Sequence, residues 1–255
     1  MLTHKVMVAM SKVYLGDCLE IMPTIADKSV DMILCDLPYG TTACKWDTVI
    51  PFEPLWREYK RVIKDHGAIV LTASQPFTSA LVMSNIKMFK YEWIWEKDRG
   101  TNFLNGKIQP LRNHENILVF YDNQPTYNPI TELSLQPNNN NKARNKSQSG
   151  EMNSIETLGK TKAKISDSYN PLMRQPRSVL RFNRGTRGNK NLHPTQKPVA
   201  LFEYLIKTYT NEGDLVLDNC AGSGTTGVAC KNLNRNFILI EKDPKYYEII
   251  LKRLE

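Results

Sequence analysis

The segment CDLPYG, residues 35–40, combines groups that no ordinary turn requires. Asp36 ends an apolar run and supplies a carboxylate acceptor, and the backbone carbonyl of Leu37 supplies a second acceptor. Tyr39 adds a flat aromatic face beside them. Two adjacent acceptors and a stacking ring fit the exocyclic amine of a nucleobase that has left its stack. The alternative is a plain Asp-x-Pro turn in which Pro38 fixes the backbone.

A second segment, LVLDNCAGSGTTG at residues 215–227, has the pattern of a cofactor-binding loop. Asp218 ends a predicted strand, and Gly222 and Gly224 then permit close backbone approach to a ligand before a helix begins. An acid at this place suits the cationic amino-acid end of a ligand better than a pyrophosphate. Two alternatives stay open. Asp218 could be a helix-capping acid, or the glycines could form a GxGxxG fingerprint, completed by Gly227, for a nicotinamide cofactor.

Two further acids stand at predicted strand ends. Glu241, at the end of the strand in FILIEKD, is placed to accept hydrogen bonds from ribose hydroxyls. Asp17 in YLGDCLEIM is a candidate cofactor contact, although an ordinary helix N-cap is the simpler interpretation. The segment HPTQKP, residues 193–198, predicts a sharp entry into the following helix. His193 alone is interpreted as an ordinary loop histidine.

Positive charge is concentrated in one part of the chain. The 255 residues carry a net charge of +8, whereas residues 142–190 hold 12 Lys and Arg against three acids. Subtracting these from the totals of 34 and 26 leaves 22 basic and 23 acidic residues elsewhere. The ordinary explanation of such a charge run is a solvated protein face. The mixture of basic residues with glycines and Phe182, however, suits contact with phosphates. The predicted DNA contacts are Arg174, Arg177, Arg181, Arg184, Arg187 and Lys190.

Strands and helices are predicted to alternate around these segments. Apolar runs of strand length are separated by segments with helical spacing, which predicts a doubly wound α/β fold with a mostly parallel sheet. The alternation is interrupted once, where residues 123–190 lose apolar periodicity and become rich in Asn, Ser, Lys and Arg. We expect residues 1–122 to form the catalytic half of one domain and 191–255 its cofactor-binding half. Residues 123–190 would be an inserted basic recognition region.

Composition predicts a soluble cytosolic protein. The apolar runs are far shorter than the roughly 20 residues of a membrane span, and the N-terminus lacks a signal-peptide cleavage pattern. The cysteines form no CxxC pair and no Cys/His set with zinc spacing, so we expect reduced thiols and no metal site. These cysteines are Cys18, Cys35, Cys44, Cys220 and Cys230.

Together, these segments resemble the S-adenosylmethionine-dependent DNA methyltransferases that modify exocyclic amines, whose catalytic signature is (D/N/S)PP(Y/F/W). DLPYG matches this signature at Asp36, Pro38 and Tyr39. Leu37 replaces the first proline, so the loop keeps the acceptor carbonyl but loses a fixed φ. The catalytic motif comes first, then the variable region, then HPTQKP and the cofactor loop, an order similar to that of the family's beta class. The resemblance covers both ends of the chain and fails in residues 123–190.

The resemblance implies a class I methyltransferase-like fold, S-adenosylmethionine as the cofactor, double-stranded DNA as the substrate and a restriction-modification setting. The implied catalytic residues are Asp36, Leu37, Pro38 and Tyr39. Among the implied cofactor contacts, Asp17 lies near the adenine, Glu241 takes the ribose hydroxyls, and Thr195 and Lys197 hold the methionine end. The remaining implied contacts, in the glycine-rich loop, are Asp218, Ala221, Gly222, Gly224 and Thr225.

Adenine is the expected target base. By resemblance, Asp in the first motif position is typical of N6-adenine enzymes, whereas Ser is commoner among N4-cytosine enzymes. Cysteine-based C5 methylation is disfavoured, because Cys35 stands on an apolar strand and is predicted to face the core. The alternatives are N4-cytosine methylation, an RNA substrate, a nicotinamide oxidoreductase and a non-catalytic DNA-binding relative. A homodimer and a separate restriction endonuclease are both compatible with the sequence, in which no nuclease motif is evident.

Overall fold

The computed structural model describes residues 11–41, 47–133, 172–184 and 196–255. It divides into two compact units, the larger with residues 1–128 and 177–255 and the smaller with residues 129–176. The smaller unit therefore takes up the middle of the predicted recognition region, and the two ends of that region belong to the larger unit. Three predicted site residues lie outside the described part of the chain: Thr195, Arg187 and Lys190.

The larger unit contains an eight-stranded sheet. Its strands are β1 (Lys12–Leu15), β2 (Val30–Asp36), β3 (Ile63–Ala73), β4 (Phe89–Thr101), β5 (Arg112–Phe120), β8 (Val179–Arg181), β9 (Leu215–Asp218) and β10 (Asn236–Glu241). In the smaller unit, β6 (Glu132–Leu133) and β7 (Met173–Arg174) form an antiparallel pair. The order in the large sheet is β1-β10-β9-β2-β3-β5-β4-β8.

One strand of the large sheet, β5, runs against its neighbours. It pairs antiparallel with β3 and with β4, whereas the other described pairings of this sheet are parallel. The predicted doubly wound, mostly parallel sheet is confirmed. Because β5 is reversed, its first residues lie at the edge of the sheet where the other strands end.

Helices cover both faces of the sheet. They are α1 (Cys18–Ile21), continued by a 3-10 turn over Met22–Thr24, α2 (Phe52–Val62), α3 (Phe77–Ser84), α4 (Val199–Tyr209), α5 (Thr225–Asn232) and α6 (Pro244–Leu254). Residues of α2 and α3 pack into one apolar layer, and residues of α4, α5 and α6 pack into the other. Burying both faces explains why the central strands read as continuous apolar runs.

Side chains of β2 alternate between the two layers. Cys35 packs on the side of α2 and α3, whereas Leu34 packs on the side of α4 and α5. Cys35 is fully buried, as predicted, and burial raises the pKa of its thiol to about 12. Continuing the alternation puts Asp36 on the α4 side, and Lys197 stands two residues before that helix. The pleat of β2 thus brings Asp36 toward Lys197, a basic residue from a distant part of the sequence.

The described residues include free thiols at Cys18, Cys35, Cys220 and Cys230, while Cys44 lies outside them. Within the same ranges, three or more potential metal ligands nowhere come together. None of the helices traced there has both the length and the apolar character needed to cross a membrane.

Candidate active site

A cavity of about 1400 Å³ opens at the edge where the parallel strands end. Its wall includes Asp17 after β1, Asp36 at the end of β2 and Glu241 at the end of β10. The first residues of the reversed strand β5 also line it, among them Arg112 and Glu115. Ligands of open α/β sheets bind at this edge, so the fold brings the predicted site residues to the expected place.

Three donors hold the carboxylate of Asp36. Its Oδ1 accepts from the Tyr39 hydroxyl at 2.8 Å and from the hydroxyl of Thr72, which lies directly opposite Asp36 on β3. Its Oδ2 accepts from Nζ of Lys197 at 2.6 Å. The carboxylate is therefore fixed from β3, from its own loop and from the segment before α4. Thr72 was not predicted, because only strand pairing brings it to Asp36.

This carboxylate is the first of four charges that form a chain. Lys197 is only 6% exposed, and its Nζ lies 2.6 Å from Asp36 Oδ2 and 3.4 Å from Glu115 Oε2. Glu115 Oε1 in turn accepts from Lys97 Nζ at 2.5 Å. Burial by itself would lower the pKa of Lys197, but the facing carboxylates of Asp36 and Glu115 raise it above its ordinary value. Burial lowers the pKa of Lys97, against the opposing influence of Glu115.

Glu115 and Lys97 are site residues that sequence reasoning missed. Both stand in segments, FKYEWIWEK and NHENILVFYD, that were predicted to be strands and resemble family segments but were given no site residue. The available signal was a charge next to an apolar run, similar to the signal that singled out Asp36. Lys97 follows its apolar run, whereas Glu115 precedes its own. Its meaning depended on β5 running in the opposite direction.

The ring of Tyr39 is stacked on Phe77, with centroids 5.3 Å apart and planes inclined by 23°. Nζ of Lys197 lies 5.6 Å from the centroid of the Tyr39 ring. Burial raises the pKa of the Tyr39 hydroxyl well above its ordinary value, and the charge of Asp36 raises it further, so the hydroxyl stays a proton donor. The ring predicted to face a base is thus supported from behind by Phe77.

The rest of the motif anchors the loop. The side chain of Leu37 is buried in the apolar layer, and Pro38 lines the cavity. Gly40 adopts a φ of 66°, and its backbone N–H donates to Asp47 at 2.8 Å. The N–H of Thr41 donates to the other oxygen of Asp47 at 2.9 Å. Asp47, another residue that was not predicted, therefore fixes the end of the catalytic segment.

The predicted nucleoside contacts line the cavity and also hold its wall. Asp17 caps α1 by accepting from the N–H of Leu19 at 2.9 Å, as the simpler interpretation predicted. Its ion pair with Lys242, at 2.9 Å, lowers the pKa of its carboxyl. Glu241 accepts from the N–H of Gly222 at 2.7 Å, and burial raises the pKa of this carboxyl.

Asp218 is enclosed by the loop that it begins. It is 2% exposed and accepts from the hydroxyl of Thr226 and from the N–H of Cys220, the latter at 3.1 Å. Burial raises the pKa of its carboxyl to about 7. Its Oδ1 bond to a backbone N–H two residues on is a capping interaction within the loop.

The remaining loop residues border a second, much smaller space of about 40 Å³. Its lining includes Asp218, Ala221, Gly222 and Thr225, and it shares Asp36, Gln196 and Lys197 with the large cavity. Gly224 instead begins α5 with a φ of 80°, and a Cβ there would lie 3.0 Å from Ile250 of α6. The described predicted cofactor contacts other than Gly224 therefore border one or both of two spaces that meet at Asp36 and Lys197.

The predicted DNA contacts that the structure describes are not equivalent. Arg184 lines the cavity, and its backbone N–H donates to Asp98 at 3.1 Å. Arg181, on β8, pairs with Glu96 at 2.7 Å. Arg177 is exposed in the larger unit, and Arg174 belongs to β7 of the smaller unit.

Several proteins similar to this chain are named as methyltransferases. The Type II methyltransferase M.HpaI of Haemophilus parainfluenzae is 27% identical over 260 residues, which cover 94% of this chain and 73% of that protein. The DNA adenine methyltransferase YhdJ of Escherichia coli (strain K12) is 29% identical over 261 residues, covering 94% of this chain and 81% of its own length.

Solved structures of methyltransferases are also similar to this chain. The M1.HpyAVI–SAM complex has a TM-score of 0.63 at 25% identity, and the match covers 96% of this chain and 100% of that chain. The cytosine-N4-specific PvuII DNA methyltransferase has a TM-score of 0.65, covering 96% of this chain and 86% of its own. At 15% identity, the second likeness concerns the fold alone.

A family model described as DNA methylase matches residues 30–252, from the start of β2 into α6. This match includes the segment CDLPYG, the charge chain and the glycine-rich loop. Together with the M1.HpyAVI–SAM complex, this match identifies the cofactor of the family as S-adenosylmethionine and not a nicotinamide. The chain therefore belongs to the N6/N4 family of S-adenosylmethionine-dependent DNA methyltransferases.

Proposed function

We propose that this chain methylates N6 of adenine in double-stranded DNA. The observation that carries the proposal is the Asp36 carboxylate, held by three donors beside Tyr39 in the cavity wall. Adenine is favoured over cytosine by Asp in the first motif position and by the similarity to YhdJ, whose name states adenine. N4 of cytosine is the alternative, since PvuII methyltransferase shares the fold.

The hydrogen bonds of Asp36 leave room for one more donor. An ionised carboxylate has about four acceptor sites on its two oxygens. Tyr39 and Thr72 take those of Oδ1, and Lys197 takes one of Oδ2. The free position on Oδ2 accepts one N–H of the target amine, and the carbonyl of Leu37 accepts the other. The base ring then stacks on Tyr39.

The residues around the cavity fit the cofactor. A volume of about 1400 Å³ exceeds the roughly 300–1,000 Å³ of ordinary ligand pockets, which leaves space for a nucleoside and a flipped base together. Asp17 and Glu241 offer carboxylates at the nucleoside side. When bound, S-adenosylmethionine supplies an electrophilic methyl group. At the methionine side we place Asp218, Ala221, Gly222 and Thr225, with Lys197 and Thr195 beside them. Gly224 contributes by shaping the turn.

Catalysis by this chain consists of positioning and charge stabilisation. Asp36 and the Leu37 carbonyl orient the amine so that its lone pair faces the methyl group. The carboxylate is already in place when positive charge develops on the nitrogen, so it stabilises that charge without reorganisation. No covalent bond to the protein is needed, and the buried thiol of Cys35 takes no part.

Residues 123–190 are proposed to read the DNA site. This region contains the segment with 12 basic residues against three acidic ones. Arg184, near the end of the region, lines the cavity wall. Contacts to phosphates position a protein on the duplex, which suits a charge surplus placed between the two halves of the catalytic domain in sequence.

The product of the reaction tests this proposal. DNA methylated by the protein is digested to nucleosides and identified by mass spectrometry, and we expect N6-methyladenine. Asp36→Ala should lose most methyl transfer yet bind S-adenosylmethionine in a calorimetric titration nearly as tightly as the wild type. Asp65→Ala removes an exposed carboxylate at a distance from the cavity and serves as the control.

Each alternative has its own result in this experiment. N4-methylcytosine as the sole product would refute the adenine assignment, and full activity of Asp36→Ala would refute the catalytic role. Stronger methylation of RNA than of duplex DNA in a competition assay would identify an RNA enzyme. A wild-type protein that binds DNA and yields no methylated nucleoside would be a non-catalytic relative.

A further inference from the structure

The connection between β4 and β5 exposes large apolar side chains that the proposed chemistry does not use. In this β4–β5 loop, residues 102–111, Leu104 is 86% exposed, Ile108 82% and Phe103 75%. Leu111 is also exposed. Single exposed apolar residues are ordinary, but several within ten residues form a patch of the kind that marks an interaction site.

The loop is built without those side chains. The Thr101 hydroxyl donates to the carbonyl of Arg112 at 3.0 Å and closes its base. Above this, the amide of Asn105 donates to the side chain of Asn102 at 2.8 Å, and the N–H of Ile108 donates to the carbonyl of Asn105 at 3.0 Å. Backbone and amide hydrogen bonds therefore set the loop's shape, which leaves the apolar side chains available to a partner.

The loop starts and ends at the wall of the active-site cavity. On the β4 side, Arg99 and Thr101 line the cavity, and on the β5 side Arg112 and His114 line it. The same cavity contains Asp36. A partner that reaches this loop is thus also at the entrance to the site where the base must be received.

The charge of this segment identifies the chemistry of the partner. Residues 99–114 contain Arg99, Lys107 and Arg112 and no acid. Asp98, just before this segment, pairs with Arg99 at 3.7 Å, so Lys107 and Arg112 supply the positive charge beside the patch. An apolar patch beside positive charge complements a partner with a polyanionic surface and an apolar interior. Duplex DNA has both, since phosphates border a stack of apolar base faces.

We propose that the β4–β5 loop is a wedge that enters the duplex where the target base leaves it. Leu104, Ile108 and Phe103 occupy the vacated space in the stack, while Lys107 and Arg112 contact the flanking phosphates. Extrusion of a base costs unstacking and unpairing, and an apolar side chain in its place holds the flipped state open. The inference rests on the proposed methylation of a flipped base in DNA.

The test compares two duplexes that differ in the cost of flipping. Sequencing of modified bases in DNA from cells expressing the protein first gives the methylated site. One oligonucleotide duplex carries this site fully paired, and the other has an abasic residue opposite the target base. Leu104→Ala/Ile108→Ala should lower kcat/KM on the paired duplex by about tenfold or more, because the flipped state loses its support. On the abasic duplex it should stay within about twofold of the wild type.

A matched control is Met83→Ala, which removes a 71% exposed apolar side chain from α3, away from the residues lining the cavity. It should leave both rates unchanged. Equal losses on both duplexes, or no loss on either, would overturn the wedge. Dissociation of a wild-type dimer by the double substitution, seen by sedimentation, would assign the patch to self-association instead. A wild-type protein that methylates neither duplex overturns the proposed function, a result distinct from failure of the wedge alone.

Discussion

At the scale of single residues, Asp36 is one of four charges that compensate each other at the cavity wall. Two carboxylates, Asp36 and Glu115, face two ammonium groups, Lys97 and Lys197. Among the residues that the structure describes, the buried Glu115 Oε2 finds no hydrogen-bond donor, and Lys197 Nζ lies 3.4 Å from it. Buried charges persist when they are paired, so each member of this chain depends on the others.

Glu115→Gln should therefore destabilise the protein. It leaves the ammonium groups of Lys97 and Lys197 with one carboxylate instead of two, and breaking a buried pair costs about 3 kcal/mol. Urea denaturation of the ligand-free protein measures this loss. Glu96→Gln is the control, because its partner Arg181 is exposed and such pairs contribute about 0–1 kcal/mol. Equal effects of the two substitutions would contradict the buried role of Glu115.

Asp36 and the glycines of the loop after β9 could be singled out from the sequence, because each stands in a local motif at the end of an apolar run. Thr72 could not, since its contact with Asp36 spans 36 residues and depends on the register of β2 and β3. Lys97 and Glu115 were missed for a related reason. Their charges are visible in the sequence, but only the pairing of their strands tells that they meet.

At the scale of elements, periodicity was sufficient for the central strands and for most helices. Runs such as VDMILCD and the helical spacing of FEPLWREYKRV appear in the structure as β2 and α2. Helix α3, FTSALVMS, was not predicted, because apolar side chains occur both on its buried face and, as Met83, on its exposed one. The antiparallel direction of β5, which brings Glu115 to the site, could not be predicted, because the apolar periodicity of a strand does not depend on its direction.

The turn after β2, which contains Gly40, allows a test of whether its backbone conformation affects methyl transfer. Gly40 and Gly213 both have positive φ, 66° and 84°, so alanine should cost about 1 kcal/mol at either. At Gly40 the new Cβ would also lie 2.9 Å from Val49, whereas nothing lies within 4 Å at Gly213. Gly40→Ala should therefore slow methyl transfer, and Gly213→Ala should not. Initial rates and thermal unfolding of both variants check this, and an equal loss of rate would contradict it.

At the scale of the whole molecule, the charge distribution predicts how binding to DNA depends on salt. Neutralising Arg181, Arg184 and Arg187 together should weaken binding and flatten the log–log salt slope by up to about 0.9 for each lost phosphate contact. Arg181 should contribute least, since Glu96 already pairs with it. Fluorescence anisotropy between low and moderate salt gives the slope. The matched control removes three exposed basic residues that do not line the cavity: Arg57→Ala, Lys60→Ala and Lys64→Ala.

If affinity and slope stay the same in the arginine variant, these residues do not contact phosphate. If the control changes the slope equally, the effect is one of net charge and not of a binding surface. The surplus of basic residues could be located from the sequence. Charge alone says neither how the protein lies on the DNA nor which DNA sequence it recognises. Along the sequence, the smaller unit, residues 129–176, stands between the two parts of the larger unit and within the predicted recognition region, residues 123–190.

The pairing of β1 with β10 has a consequence for the evolution of such chains. The first strand lies beside the last one, and α6, which follows β10, packs against β1, so the first and last elements of the described fold are neighbours. A circular permutation that joined them and opened the chain between α4 and β9 would keep every strand pairing of the large sheet. The glycine-rich loop would then precede the catalytic motif, while the same side chains met at the same edge. The strand pairing of the large sheet therefore does not fix the order of these two segments along the chain, although it fixes where their side chains meet.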